Sequence, residues 1–360
     1  MSPSALLPET GRERLFPLDL LRVLACFLVV WQHVTEAYYI GPDLTVVRNA
    51  DTPLVGWMNS LTPIEVPLFV MISGYFLLPL RSGTAAFFRR RFTRILGPFV
   101  CWCAAYAVFY VFYRGDSAAD CLRHICHIPV NYGTEVGHLW FVYMLAGLYL
   151  LVPVLSPWLE SCTRRQLQGY LWLWGFTTLL PYLHLVFPAV LGECFWNPTP
   201  LLHHFTGFTG YFVLGHYIRR YGGLRAPLAG ALLAGGYLLT VGIYQYRLAE
   251  AESVSDLEVC WRFCGANIAV MAYAVFSLAV RLKWKGSTGA GRWVSRIAVH
   301  SYGVYLCHLM YVHLFSDALS GPLGRVYWQI PVITLCAFGA TCLTVRLLAC
   351  LPYSKYWLGS

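Results

Sequence analysis

Apolar runs of about 20 residues, separated by polar or charged joints, recur along the whole chain. A helix needs ~20 apolar residues to cross a hydrocarbon layer of ~30 Å. On that scale the pattern predicts ten spans, near 17–40, 54–79, 95–113, 138–158, 167–187, 202–219, 227–247, 259–281, 298–317 and 327–350. Pro63 and Pro67 interrupt the second span, and the sixth holds His203, His204 and several glycines. Both are expected to bend around a cavity, because irregular backbone at membrane depth must be satisfied within the protein. No internal repeat is visible, so the pattern does not suggest an inverted-repeat transporter.

Composition agrees with this reading: 58% of residues are hydrophobic and 12% charged, against ~25% charged in a soluble domain. The expected fold is all-α and polytopic, one membrane domain over 1–360. Residues 1–16 form an N-terminal segment, 17–350 a ten-helix bundle and 351–360 a tail. The first sixteen residues show no apolar run and no small-residue cleavage site, so no cleaved signal peptide is expected. Lys and Arg in the joints set orientation. With the N-terminus in the cytoplasm, nineteen of the 26 basic residues fall in cytoplasmic segments, and both ends lie inside. The net charge of +9 is then a topology signal rather than a nucleic-acid footprint. Most of the thirteen cysteines lie inside spans, where they act as small apolar side chains. Cys121, Cys126 and Cys194 fall in outer loops where disulfides are allowed, and their pairing is open. The string CLRHICHI fits no standard zinc spacing, so no metal is expected.

The first span, PLDLLRVLACFLVVWQHVTEAYYI, carries the densest candidate chemistry. Asp19, Arg22, His33 and Glu36 are ionisable groups in an otherwise apolar helix, and such groups usually face a cavity or the bundle interior. Arg22 and His33 are eleven residues apart, which is three turns plus ~20°, so they share a face with ~16 Å between them. Glu36 follows His33 by three residues on that face. One stripe thus offers a cation near one surface and a titratable base deep inside. That layout suits a long anionic co-substrate reaching in from one side to meet a substrate from the other. An interface ion pair between Asp19 and Arg22 and a packing role for His33 are the structural alternatives.

Other stretches are weaker singly. The joint RSGTAAFFRRRFTRILGPF places Arg91 and Arg94 one turn apart on the cytoplasmic side. The pair suits phosphate binding, since the guanidinium fork matches phosphate geometry, or serves topology alone. Ser73-Gly74 in the second span allows close helix approach, with Ser73 a cavity-lining hydroxyl as the second role. His138, Trp140 and Tyr143 open the fourth span at its outer end. There they form an aromatic belt or bind a saccharide. Tyr302, Tyr305 and His308 are spaced by three in the ninth span. The chain has no phosphate-loop, nucleophile-elbow or H-E-x-x-H motif. ATP-driven transport, a soluble-type hydrolase and a zinc protease therefore lack support.

Taken together, these stretches resemble the acyltransferase-3 family of ten-helix membrane acyltransferases, which includes bacterial polysaccharide O-acetyltransferases. Arg22 and His33 look like its Arg-x10-His signature, and FVMISGY looks like its Ser-Gly element at Ser73 and Gly74. Arg91 and Arg94 match its Arg-x-x-Arg motif, and HLWFVYMLAGLYLLVPVL and SYGVYLCH are similar to its fourth and ninth spans. Many relatives carry an extra C-terminal hydrolase-like domain; this sequence stops just after its last span and resembles the stand-alone form. The resemblance implies an acyl-CoA donor, most often acetyl-CoA, held by Arg22, Arg91, Arg94 and Ser73. It implies a saccharide or lipid-linked glycan acceptor near His138, Trp140, Tyr143, Tyr305 and His308. His33 would act as general base, oriented by Glu36, or form an acyl-His intermediate. The setting implied is a bacterial cell membrane. An exporter of a saccharide or lipid-linked saccharide is the rival class. Acceptor identity, acyl length and oligomeric state are not legible.

Overall fold

The structure is a computed structural model describing residues 15–129, 136–187, 202–284 and 288–359, with the His203 side chain excepted. Cys194, named above, lies outside those residues. Among the described residues there is no strand beyond two isolated bridges, and the chain is helical throughout. In order come α1 (Phe16–Glu36), α2 (Thr52–Asn59), α3 (Glu65–Leu77), α4 (Thr84–Tyr113), α5 (Ala118–His127), α6 (Trp140–Ser161), α7 (Arg164–Thr177) and α8 (Leu180–Val186). Then follow α9 (Phe208–Tyr221), α10 (Ala226–Glu250), α11 (Val254–Leu257), α12 (Ala266–Ala279), α13 (Gly289–Val299), α14 (Ser301–Leu323), α15 (Val326–Leu348) and α16 (Lys355–Leu358).

Among the described residues, seven helical stretches are long and apolar enough to cross a membrane. They are Phe16–Glu36, Thr52–Leu77, Thr84–Tyr113, Gly137–Ser161, Ala226–Glu250, Val254–Ala279 and Val326–Leu348. Many of their outward side chains are large, apolar and exposed, among them Phe112 on α4, Val154 on α6 and Leu335, Leu343 and Leu347 on α15. A water-soluble monomer rarely tolerates so broad an apolar surface, and the protein is an integral membrane protein. The other three expected spans take different forms. Thr178 and Leu179 divide 167–187 into helices of 14 and 7 residues, and α9 is 14 residues long. α14 has 23 residues and falls short in apolarity, since it carries His308, His313 and Asp317. The second basic joint is itself helical, for α4 starts at Thr84 and runs 30 residues into the third span.

α1 is the axis of the bundle, packed against α3, α13, α14 and α15. Pro17 starts it, where the missing N–H is one of the unsatisfied donors anyway. The tightest helix pair is α3 with α9. A Cβ on Gly74 would lie 1.8 Å from the Phe212 carbonyl oxygen, and one on Gly215 would lie 2.0 Å from that of Met71. Two reciprocal glycines therefore bring the backbones into contact, as small residues do between membrane helices. The second span breaks as its prolines predict. α2 ends at Asn59, a 3-10 turn runs through Thr62–Ile64, and α3 begins at Glu65. All twelve described cysteines are free thiols.

Candidate functional site

The Arg22–His33 face of α1 has a cavity at each end. At the N-terminal end lies a cavity of about 640 Å³, lined by Asp19, Arg22, Phe69, Ser73, Arg91, Arg94, Phe141, Tyr149, Tyr302 and Tyr305, among others. α4 supplies Arg91 and Arg94 from its basic first turns, where a three-residue spacing puts both on one face. Arg22 Nη1 donates to Asp19 Oδ1 at 3.1 Å, and its guanidinium lies 5.3 Å from the Phe76 ring centre. The Arg91 Nε is buried with no hydrogen-bond partner. Ser73 Oγ donates to the Phe69 carbonyl at 2.9 Å, and the hydroxyl oxygen can still accept. Among the described lining residues one carboxylate, Asp19, stands against three guanidiniums. The cavity is therefore positive, and a buried guanidinium N–H without a partner fits a polyanion such as a phosphorylated co-substrate.

At the C-terminal end of α1 lies a second cavity of about 780 Å³. His33 and Glu36 line it, and His33 Nδ1 sits 2.9 Å from Glu36 Oε1 and 3.0 Å from Oε2. A carboxylate only accepts, so Nδ1 carries the hydrogen and Nε2 keeps the lone pair. Two further imidazoles surround His33. His308 is 5.3 Å away, centre to centre, and His138 is 6.0 Å away; these two are 4.8 Å apart. His308 Nδ1 donates to the Tyr305 carbonyl at 2.6 Å, and His138 Nε2 to the Leu306 carbonyl at 3.4 Å. Each therefore keeps an accepting nitrogen, buried and without a partner. Trp140 stacks on Phe263 at 5.7 Å and packs beside Phe208, forming an aromatic wall of the same cavity.

Phe141 and Tyr305 line both cavities. Their rings meet edge to face at 5.3 Å. The Tyr305 hydroxyl donates to the His138 carbonyl, which ties α14 to the turn before α6. The two chambers are thus neighbours across a two-ring partition.

Of the residues singled out from sequence, Arg22, Ser73, Arg91 and Arg94 gather in the first cavity, and His33, Glu36, His138 and Trp140 in the second. Tyr305 stands between them. His308 packs behind His33 and lines neither. Tyr143 goes elsewhere: its ring packs on Phe99 at 5.1 Å and its hydroxyl donates to the Ile128 carbonyl. The reason is helical phase. Two residues past Phe141, Tyr143 lies about 200° around the helix from it and turns toward α4, while the cavity side of α6 belongs to Phe141 and Leu145.

Sequence reasoning missed Asn59 and Glu65, which both line the second cavity at the break between α2 and α3. One end of the Asn59 amide lies 2.9 Å from the Thr35 hydroxyl and 2.7 Å from that of Thr62; the other end has no partner. Glu65 is 2% exposed, and its Oε2 is also without a partner. Glu258 was missed too; its Oε1 accepts from the Tyr39 hydroxyl at 2.7 Å in the same cavity. The signal was present: a carboxylate two residues after Pro63, inside an apolar span, is costly unless it faces a polar chamber. Among the described residues no group of three or more His, Cys, Asp or Glu is arranged to hold a metal.

Compared with known proteins, the acyltransferase-3 family model, described as an acyltransferase domain, matches residues 17–350. No curated protein and no solved structure matches the chain.

Proposed function

The chain belongs to the acyltransferase-3 family, and from that premise we propose that it moves an acetyl group from acetyl-CoA to a hydroxyl of a saccharide or lipid-linked glycan. The observation carrying this reading is the pair of chambers on one face of α1. One is lined by arginines, the other holds a His–Glu pair, and the two meet at Phe141 and Tyr305. In this proposal the arginine chamber opens to the cytoplasm, where acyl-CoA is found, and the protein sits in a bacterial cell membrane. Arg91, Arg94 and Arg22 hold the donor's phosphates, with the Ser73 hydroxyl beside them. The span of ~16 Å from Arg22 to His33 matches a pantetheine arm laid along α1 past the two-ring partition.

At the far end, Glu36 fixes the His33 ring with Nε2 toward the second chamber. That nitrogen takes the proton of the acceptor hydroxyl as its oxygen attacks the thioester carbonyl. The carbon–sulfur bond then breaks, and the proton passes to the departing thiolate. Glu36 steadies the imidazolium between those steps, the arrangement by which a positioned carboxylate supports a histidine base. Trp140, with Phe208 and Phe263, offers flat apolar faces to a sugar ring, while His138 and Tyr305 stand at its inner end.

The test is mass spectrometry of surface glycans from cells with and without the gene. O-acetyl groups lost on deletion and restored by the wild-type gene are the expected result. Identical glycan O-acetylation in both strains would overturn the acceptor class.

A further inference from the structure

Residues 351–359 follow the last long helix and carry no candidate chemistry in the sequence. In the structure, Lys355–Leu358 forms one helical turn wedged between α4 and α14. Leu358 is fully buried there. Three glycines from three elements make the fit possible. A Cβ on Gly97 of α4 would meet the Tyr356 carbonyl oxygen at 3.4 Å, and one on Gly303 of α14 would lie 2.9 Å from Leu358 Cδ2. Gly359 has φ +67°, a left-handed conformation that other residues adopt only under strain, and a Cβ there would lie 2.5 Å from the Arg94 carbonyl oxygen. Such matched gaps show that the wedge is seated, not draped.

The hydrogen bonds say what it is seated against. Trp102 Nε1 donates to the Trp357 carbonyl at 2.9 Å. Arg94 Nε donates to the Gly359 carbonyl. Tyr302, which lines the arginine chamber, donates its hydroxyl to the Ile95 carbonyl at 2.8 Å, and its ring lies against Gly359. Arg94 is an exposed side chain on a long, flexible stem. Left alone it would lose most of its rotamer freedom on gripping an anion. Held at Nε, it still has the four Nη hydrogens of its fork to offer.

We propose that residues 355–359 are a positioning clasp that presets the Arg94 guanidinium for the phosphates of the donor. The clasp touches no substrate; it acts through Arg94. It rests on the donor reading above and adds a specificity element that no motif in the first spans contains. Presetting one long side chain favours binding by roughly two- to tenfold, the gain expected from one immobilised rotamer-rich group.

The experiment measures CoA binding by calorimetry to the full chain in detergent. Four proteins are compared: wild type, Gly359→Val, Arg94→Ala and the double variant. Gly359→Val places a β-branched side chain where both φ and space forbid it. The expected result is CoA affinity lower by roughly two- to tenfold and a raised KM for acetyl-CoA. The kcat stays at the wild-type value. In the Arg94→Ala background, Gly359→Val has no further effect, because its target is gone. Trp102→Phe, which removes the bond to the Trp357 carbonyl together with part of a buried ring, weakens CoA in the same direction and carries the test if Gly359→Val does not fold. Wild-type CoA affinity in Gly359→Val, or in Trp102→Phe where that variant carries the test, overturns the clasp. Additive losses in the double variant also overturn it, since they show a general structural role. A wild-type protein that binds no CoA overturns the donor reading itself, a separate result.

Discussion

The two chambers on α1 differ in how their polar groups are held. In the arginine chamber the charged groups come from α1 and α4 near one end of the bundle, three guanidiniums to one carboxylate among the described residues, and Arg94 is exposed. In the histidine chamber they come from deep positions. Glu65 and His138 are 2% and 4% exposed, and several polar atoms have no partner within the protein. A cluster in which one sign outnumbers the other gathers an anion from a distance. Buried unpartnered groups are costly in a resting protein and are worth keeping where a substrate will satisfy them. On the proposed function, the contrast is a division of labour: one chamber anchors, the other reacts.

That division can be broken from either side. The largest effect is expected from His33→Ala. A general base contributes about 10²- to 10⁴-fold, so acetyl transfer should fall by about that factor. CoA affinity, read by calorimetry, should stay as in wild type. Undiminished turnover would remove His33 from the chemistry and end the distinction. Next comes the Arg91→Ala, Arg94→Ala pair. Charge-assisted hydrogen bonds are worth about 1.5–3 kcal/mol each, so either substitution alone should weaken CoA binding about 10- to 100-fold. The acceptor's KM should not move. Unchanged donor affinity would return both arginines to a topological role. The smallest effect is expected from Glu65→Gln, which keeps shape and replaces the carboxyl with an amide. The KM for the acceptor should rise by about tenfold, the loss of one good hydrogen bond, with CoA affinity constant. A fall in donor affinity instead would show that the chambers are not separable.

Much of the frame was legible in the residues because it depends on short-range periodicity. The Arg22, His33 and Glu36 register on α1 follows from ~100° per residue alone, and the His33–Glu36 contact is a three-residue helical neighbour. The pairing of Arg91 with Arg94 is of the same kind. The close approach at Gly74 was readable as a small residue among bulky ones, and Phe212 on α9 is the backbone it meets. The break at Pro63 was visible, but Glu65 and Asn59 beside it were not recognised as cavity groups. The cost of a carboxylate in an apolar span pointed to a polar chamber at Glu65, but nothing local did so for the neutral Asn59.

What the sequence by itself determined is the set of apolar helices and the spacing of ionisable groups along each, since both are properties of a single segment. Tertiary packing decided the rest. It brought His138 and His308, more than one hundred and more than two hundred and seventy residues downstream, to within about 6 Å of His33. It also turned Tyr143 toward Phe99 instead, and pressed Lys355–Leu358 against α4. The reason is physical: which helix face meets which partner is fixed by the shape of distant side chains, and in a membrane bundle that fit comes from close packing rather than from any hydrophobic pattern along the chain.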